Sequence, residues 1–166
     1  MRISGFPRTL RMASTNRPPL QPKTYSDANL RYRLDKESLS GLPDTTKPFT
    51  VLGIESSCDD TGVSVVRSDG TILSSAVYSQ YDIHKKFGGI VPSLAMEQHK
   101  LNIDVAVNEA LSKAGLDMKD IDAVAVTKGP GLEICLRVGM RKAQAIATEY
   151  KKPFVTVHHL EAHCMM

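Results

Sequence analysis

Nowhere in this 166-residue sequence does an apolar run approach the roughly 18 residues that a membrane-spanning helix requires, so no such span is predicted. Cysteine is scarce. Cys58, Cys135 and Cys164 are odd in number, far apart and without a CxxC pair, which argues against a disulfide framework and fits a reducing compartment. Acidic residues are missing before Asp27, whereas Arg2, Arg8, Arg11, Arg17 and Lys23 fall in that stretch. Net positive charge is in turn missing from the rest. Residues 49–166 carry twelve Lys/Arg against fourteen Asp/Glu, and residues 1–48 carry nine against four. The overall +3 therefore belongs to the N-terminal segment, and the remainder has no strong electrostatic signature of nucleic-acid binding.

With 42% hydrophobic and 23% charged residues, the composition is that of an ordinary globular chain with one sizeable core. The basic, Ser/Thr-rich, acid-free start matches a mitochondrial targeting peptide, or alternatively a basic tail. Pro18, Pro19, Pro22, Pro43 and Pro48 punctuate a stretch without period, so residues 1–48 read as targeting peptide and linker.

From Phe49 onward the pattern is regular. Strands are predicted at Thr50–Glu55, Gly62–Arg67 and Thr71–Tyr78, with a polar turn over Ser56–Thr61 and a hairpin signal at Ser68-Asp69-Gly70. A helix follows over Ser93–Ala114, with Leu94, Leu101, Val105 and Leu111 at helical spacing and Gly115 as its stop. Ile121–Thr127 reads as a strand, Leu132–Tyr150 as a helix and Phe154–Val157 as a last strand. The fold class is α/β, a mixed sheet of order β-β-β-α-β-α-β with flanking helices. Each later strand needs a helical crossover, so the first, fourth and fifth strands should be parallel neighbours. Ligands gather at the carboxyl ends of such strands. Glu55–Thr61, Thr127–Gly131 and His158–His163 all fall there.

His159 and His163 are four residues apart at the start of a helix. Four residues turn roughly 400° and rise about 6 Å, so both rings leave one face at a spacing that suits one metal ion. Glu161 lies two residues from each, on the opposite side of the helix. The pattern thus differs from HExxH, whose Glu neighbours the metal-bound water. His158 points elsewhere, and His99 suits a structural role better than a ligand role. Glu55-Ser56-Ser57-Cys58-Asp59-Asp60-Thr61-Gly62 either presents carboxylates and backbone N–H groups to a phosphate and its metal or is a well-capped turn. Glu55 favours the former, since a charge ending a buried strand needs a reason. Lys128-Gly129-Pro130-Gly131-Leu132 is a strand-to-helix turn, with or without an anion at the helix start. Arg137, Arg141 and Lys142 behind it read as a solvated face.

Taken together, Gly53–Thr61, Phe87–Ala95, Gly129–Leu132 and His158–His163 resemble, in order and interval, the TsaD-like family of tRNA threonylcarbamoyladenosine transferases, most closely its mitochondrial branch. The resemblance covers about residues 50–166. It implies an ASKHA (actin-like ATPase) architecture of two RNase H-like lobes, with residues 49–166 as the N-terminal one. It also implies transfer of threonylcarbamoyl from its adenylate to an adenosine next to the tRNA anticodon. By motif, His159 and His163 carry over as ligands of one divalent metal, Zn or Fe. Asp59 and Asp60 carry over as acidic active-site residues, and Ser57 and Gly131 as contacts to the adenylate or an ATP-like nucleotide. The family's third metal ligand, an Asp, and its nucleotide-binding glycine segment lie in the second lobe, so this chain alone is expected to bind metal weakly and to be inactive. Glu133, Arg137 and Arg141 replace the small or apolar residues the family usually has after Gly-Pro-Gly-Leu, which bears on a dimer face there. The partners implied are tRNA, the adenylate, and a second copy or a full-length homologue. Other readings are a lobe that binds and regulates such a homologue, or a sugar or acetate kinase, whose sites lack the HxxxH pair.

Overall fold

The computed structural model describes residues 43–165; the expected targeting segment lies outside them. Strands β1 (Thr50–Glu55), β2 (Asp60–Arg67) and β3 (Ile72–Ser79) form an antiparallel meander. A short helix α1 (Tyr81–His84) and a 3₁₀ turn (Lys85–Phe87) lead to the long helix α2 (Pro92–Ala114). After a 3₁₀ turn at Met118–Asp120 come β4 (Ala123–Gly129), α3 (Glu133–Tyr150), β5 (Phe154–His158) and α4 (His159–Cys164). The five strands lie in the order β3-β2-β1-β4-β5, with β4 parallel to both β1 and β5. This is the expected mixed sheet with flanking helices.

Period-two alternation sorts the strand residues between two faces. Leu52, Ile54, Val63, Val65, Ala76, Val124 and Val126 point to one face and are at most 3% exposed. Helices α2 and α3 cover that face, contributing Ile103, Val107, Ala143 and Ile146 to the same core. On the other face Gly53 pairs with Ser64 and Ala125, and Glu55 pairs with Gly62. A shallow depression of about 250 Å³ runs over these small residues and Thr127.

Two expectations need correction. Leu101 and Val105 do not face the core; they are 66% and 50% exposed. The buried stripe of α2 is Ala95, His99, Ile103, Ala106, Val107 and Ala110, because small residues let the helix lie close to the sheet. Strand β2 also starts earlier than its apolar run: Asp60 and Thr61 pair with Ser79 and Tyr78 and so are strand rather than turn. The α1 segment gave no periodic signal. It is fixed by a polar chain in which Gln80 Nε2 donates to Ala95 O at 3.3 Å and Gln80 Oε1 bonds His84 Nε2 at 2.9 Å. His84 Nδ1 then accepts from Val91 N–H at 3.3 Å, holding the Phe87–Val91 turn that feeds α2.

Candidate functional site

Parallel pairing places the ends of β1, β4 and β5 side by side at one sheet edge, and the antiparallel β2 starts at that same edge. The loop after β1 is built into the core from beneath. Ser56, 2% exposed, donates its hydroxyl to Cys135 O at 3.0 Å and accepts from Gly139 N–H at 3.2 Å. A Cβ at Gly139 would stand 2.5 Å from that hydroxyl oxygen, so only glycine lets α3 pass this close. His99, fully buried, braces the loop from α2. Its Nε2 lies 3.2 Å from Cys58 O, and its Nδ1 lies 2.7 Å from Thr61 Oγ1. A carbonyl only accepts, so Nε2 carries a proton and donates to Cys58 O, while Nδ1 pairs with the Thr61 hydroxyl.

Ser57 is buried, and its backbone carbonyl accepts the Leu132 N–H at 2.7 Å. Gly131 packs directly on it: a Cβ there would meet Ser57 O at 2.6 Å and Ser57 Cβ at 2.8 Å. The structure thus brings Ser57 and Gly131 together, and the glycine answers a demand of the chain's own backbone. Asp59 is half-buried, with its backbone carbonyl accepting Gln80 N–H at 3.2 Å, and Asp60 is exposed. Burial, followed by the Asp59 carboxylate bonded to it, pushes the Cys58 thiol up from its ordinary value; burial does the same to Cys135. Neither thiol is activated as a nucleophile.

Across the edge, α4 carries His159 and His163 with ring centroids 4.5 Å apart and edge-on. Their Nε2 atoms are 3.2 Å apart. Two nitrogens bound to one tetrahedral ion at about 2.05 Å each would stand about 3.3 Å apart. The pair therefore fits two ligand positions of a metal ion. No group of three or more His, Cys, Asp or Glu side chains gathers at metal-binding distance among the described residues. No hydrogen bond or ion pair joins Asp59 or Asp60 to either imidazole. Asp60 and His158 share the sheet edge but are separated by three inter-strand steps, about 14 Å. Glu161 is exposed, on the far side of α4. His158 precedes α4 without a side-chain capping bond.

One contact does cross between the halves. Glu55 Oε1 lies 3.5 Å from His159 Nδ1 and accepts the Ser57 N–H at 2.9 Å. The strand pattern marked Glu55 as an acid in need of a reason, but its partner emerges only once β1 and β5 are both set beside β4. Behind α3, Arg137 pairs with Glu133 along the helix. Lys142 reaches Asp104 of α2 at 2.6 Å.

Comparison with known proteins agrees with this architecture. The tRNA N6-adenosine threonylcarbamoyltransferase (TsaD) family profile matches residues 71–166. The chain belongs to that family. It is 47% identical over 141 residues to a probable mitochondrial tRNA N6-adenosine threonylcarbamoyltransferase of Arabidopsis thaliana, covering 82% of this chain and 29% of that one. To the tRNA N6-adenosine threonylcarbamoyltransferase of Pelagibacter ubique it is 49% identical over 123 residues, covering 72% and 34%. The chain thus spans about a third of the length of these curated relatives. Among solved structures, YeaZ from Pseudomonas aeruginosa shares the fold, with a TM-score of 0.51 and 22% identity over 66% of this chain and 43% of that one. Among the described residues no helix is long and apolar enough to cross a membrane.

Proposed function

We propose that this chain contributes the N-terminal, metal-holding half of a site that transfers a threonylcarbamoyl group from its adenylate to the exocyclic amine of a tRNA adenosine, in mitochondria. The observation that carries the reading is the meeting of the Glu55–Asp60 loop with the His159/His163 pair at one sheet edge. In the reaction the amine nitrogen bonds the carbamoyl carbon, the bond from that carbon to the phosphate oxygen breaks, and a proton leaves the amine. His159 and His163 would hold the divalent ion, Zn or Fe, which when bound supplies Lewis-acid polarisation of the reacting carbonyl. Asp59 and Asp60 offer carboxylates for the released proton. Buried Ser57, welded to Gly131 and Leu132, gives the adenylate a wall that does not move.

Mitochondrial location draws on the Arabidopsis relative and on the basic leader. A second reading, a lobe that pairs with a full-length homologue, draws on the apolar side chains left open on the uncovered sheet face, Val77 at 62% and Val155 at 37% exposure. Co-purification of a tagged chain with that homologue checks it.

The transfer reading is tested by replacing the matching segment of the Pelagibacter ubique enzyme with residues 49–166. Threonylcarbamoyladenosine in tRNA is then measured by mass spectrometry. The chimera is expected to modify tRNA, and the same chimera with His159→Ala and His163→Ala to lose activity by at least 100-fold. A folded but inactive chimera, or one indifferent to the two alanines, contradicts the reading.

A further inference from the structure

We infer that Glu55 is a positioning residue for the metal centre: its carboxylate fixes the ring of His159 so that Nε2, and not Nδ1, faces the ion. This rests on the reading of His159 and His163 as metal ligands and goes beyond it by assigning a residue that ligates nothing.

The argument begins with the carboxylate itself. Glu55 ends β1 on the open face of the sheet, opposite the core residue Ile54. Its Oε1 is held by the Ser57 N–H at 2.9 Å, and Ser57 belongs to a loop that α2 and α3 both brace. The acid is thereby tied to the best-packed part of the site. From there the same oxygen faces His159 Nδ1 at 3.5 Å, the distance of an ion pair and longer than an ordinary hydrogen bond.

An imidazole binds metal through a nitrogen without a proton. In a neutral ring one nitrogen must keep the proton, and an acceptor beside Nδ1 decides that it stays there. The Nε2 lone pair then faces outward, and it is Nε2 that lies at hydrogen-bond distance, 3.2 Å, from its counterpart on His163, the contact a metal ion would replace. The carboxylate also strengthens that lone pair, as carboxylate partners of metal-bound histidines do. His163 has no such partner among the described residues; it is exposed on the last turn of α4. A helix of six residues has little stability of its own. The sheet therefore orients the first ligand, and the second stands beside it on a short helix that buries none of its residues.

The test uses the 166-residue chain and cobalt(II), whose absorption reports coordination. Glu55→Ala is expected to weaken cobalt binding about 10- to 100-fold. Glu55→Gln, which keeps an acceptor oxygen, should recover most of that loss. His159→Ala with His163→Ala should abolish binding. If that double variant binds cobalt like the parent, the metal reading itself is wrong and Glu55 has nothing to position. If it loses binding while Glu55→Ala stays within twofold of the parent, only the positioning role fails. A second measurement does not depend on how the alanine variant folds. Nitrogen NMR of the metal-free parent should show His159 protonated at Nδ1, and a predominant Nε2–H form would overturn the inference.

Discussion

The loop after β1 and the helix after β5 face one another across the site, yet the forces that hold them differ in kind. The loop contains Ser56 and Ser57 at 2% and 4% exposure and is tied into α2 and α3 by bonds from Ser56, His99 and Leu132. Helix α4 buries no residue, has no side-chain cap and extends for six residues. One half is hydrogen-bonded into the packed body of the fold, and the other rests on β4 and β5 with one imidazole facing the Glu55 carboxylate. On the proposed reading, a ligand meeting this edge would find a well-braced loop on one side and a lightly held histidine pair on the other. Binding free energy should therefore be spent on ordering the histidines, with the acidic loop already in place.

That contrast can be broken most directly at His99. Its loss leaves Cys58 O and Thr61 Oγ1 unpaired beside a cavity, so His99→Ala should cost about 3 kcal/mol in urea unfolding. A cost below about 1 kcal/mol would show the loop to be no better held than α4. Next comes Gly139→Ala, whose methyl would stand 2.5 Å from Ser56 Oγ; the expected destabilisation is about 2 kcal/mol. Adding Ser56→Ala removes the clashing oxygen, so the pair should be less destabilised than the two single changes summed, and a double-mutant cycle measures the coupling.

On the other side of the comparison, His159→Ala with His163→Ala should leave metal-free stability within about 0.5 kcal/mol of the parent. On the proposed metal reading, zinc should raise the unfolding midpoint of the parent and not of that variant, because a ligand that binds only the folded pair stabilises the fold. The smallest effect lies away from the site. Lys113 first, and then Tyr78, hold the Glu109 carboxyl below its ordinary 4.5. A depressed folded-state value means stability present above about pH 4.5 and lost as pH falls through the lower folded value. Tyr78→Phe should therefore flatten the acid limb of the stability–pH curve slightly and leave the site unchanged.

The sequence made some of this legible and hid the rest for definite reasons. Strands β1, β4 and β5 are apolar runs bounded by turn residues, and their parallel adjacency followed from the helices between them. That was enough to gather Glu55, Thr127–Gly131 and His158–His163 at one edge. The buried face of α2 was misread because Leu101 and Val105 are larger than the alanines that touch the sheet. A stripe of Ala95, Ala106 and Ala110 with one histidine in it carries little hydrophobic signal, although it fixes how close the helix can come. Asp60 and Thr61 looked like turn because their strand character comes from pairing with Ser79 and Tyr78, a long-range fact. The partner of Glu55 was hidden for the same reason.

The hydrogen bond from Leu132 N–H to Ser57 O has a practical corollary. It couples the N-terminal end of a long helix to the buried loop after β1, so a shift of either stretches the bond. Solvent exchange at that single amide becomes a gauge of whether that loop opens. A displacement of Ser57 would register at the start of α3 as well as in the loop itself.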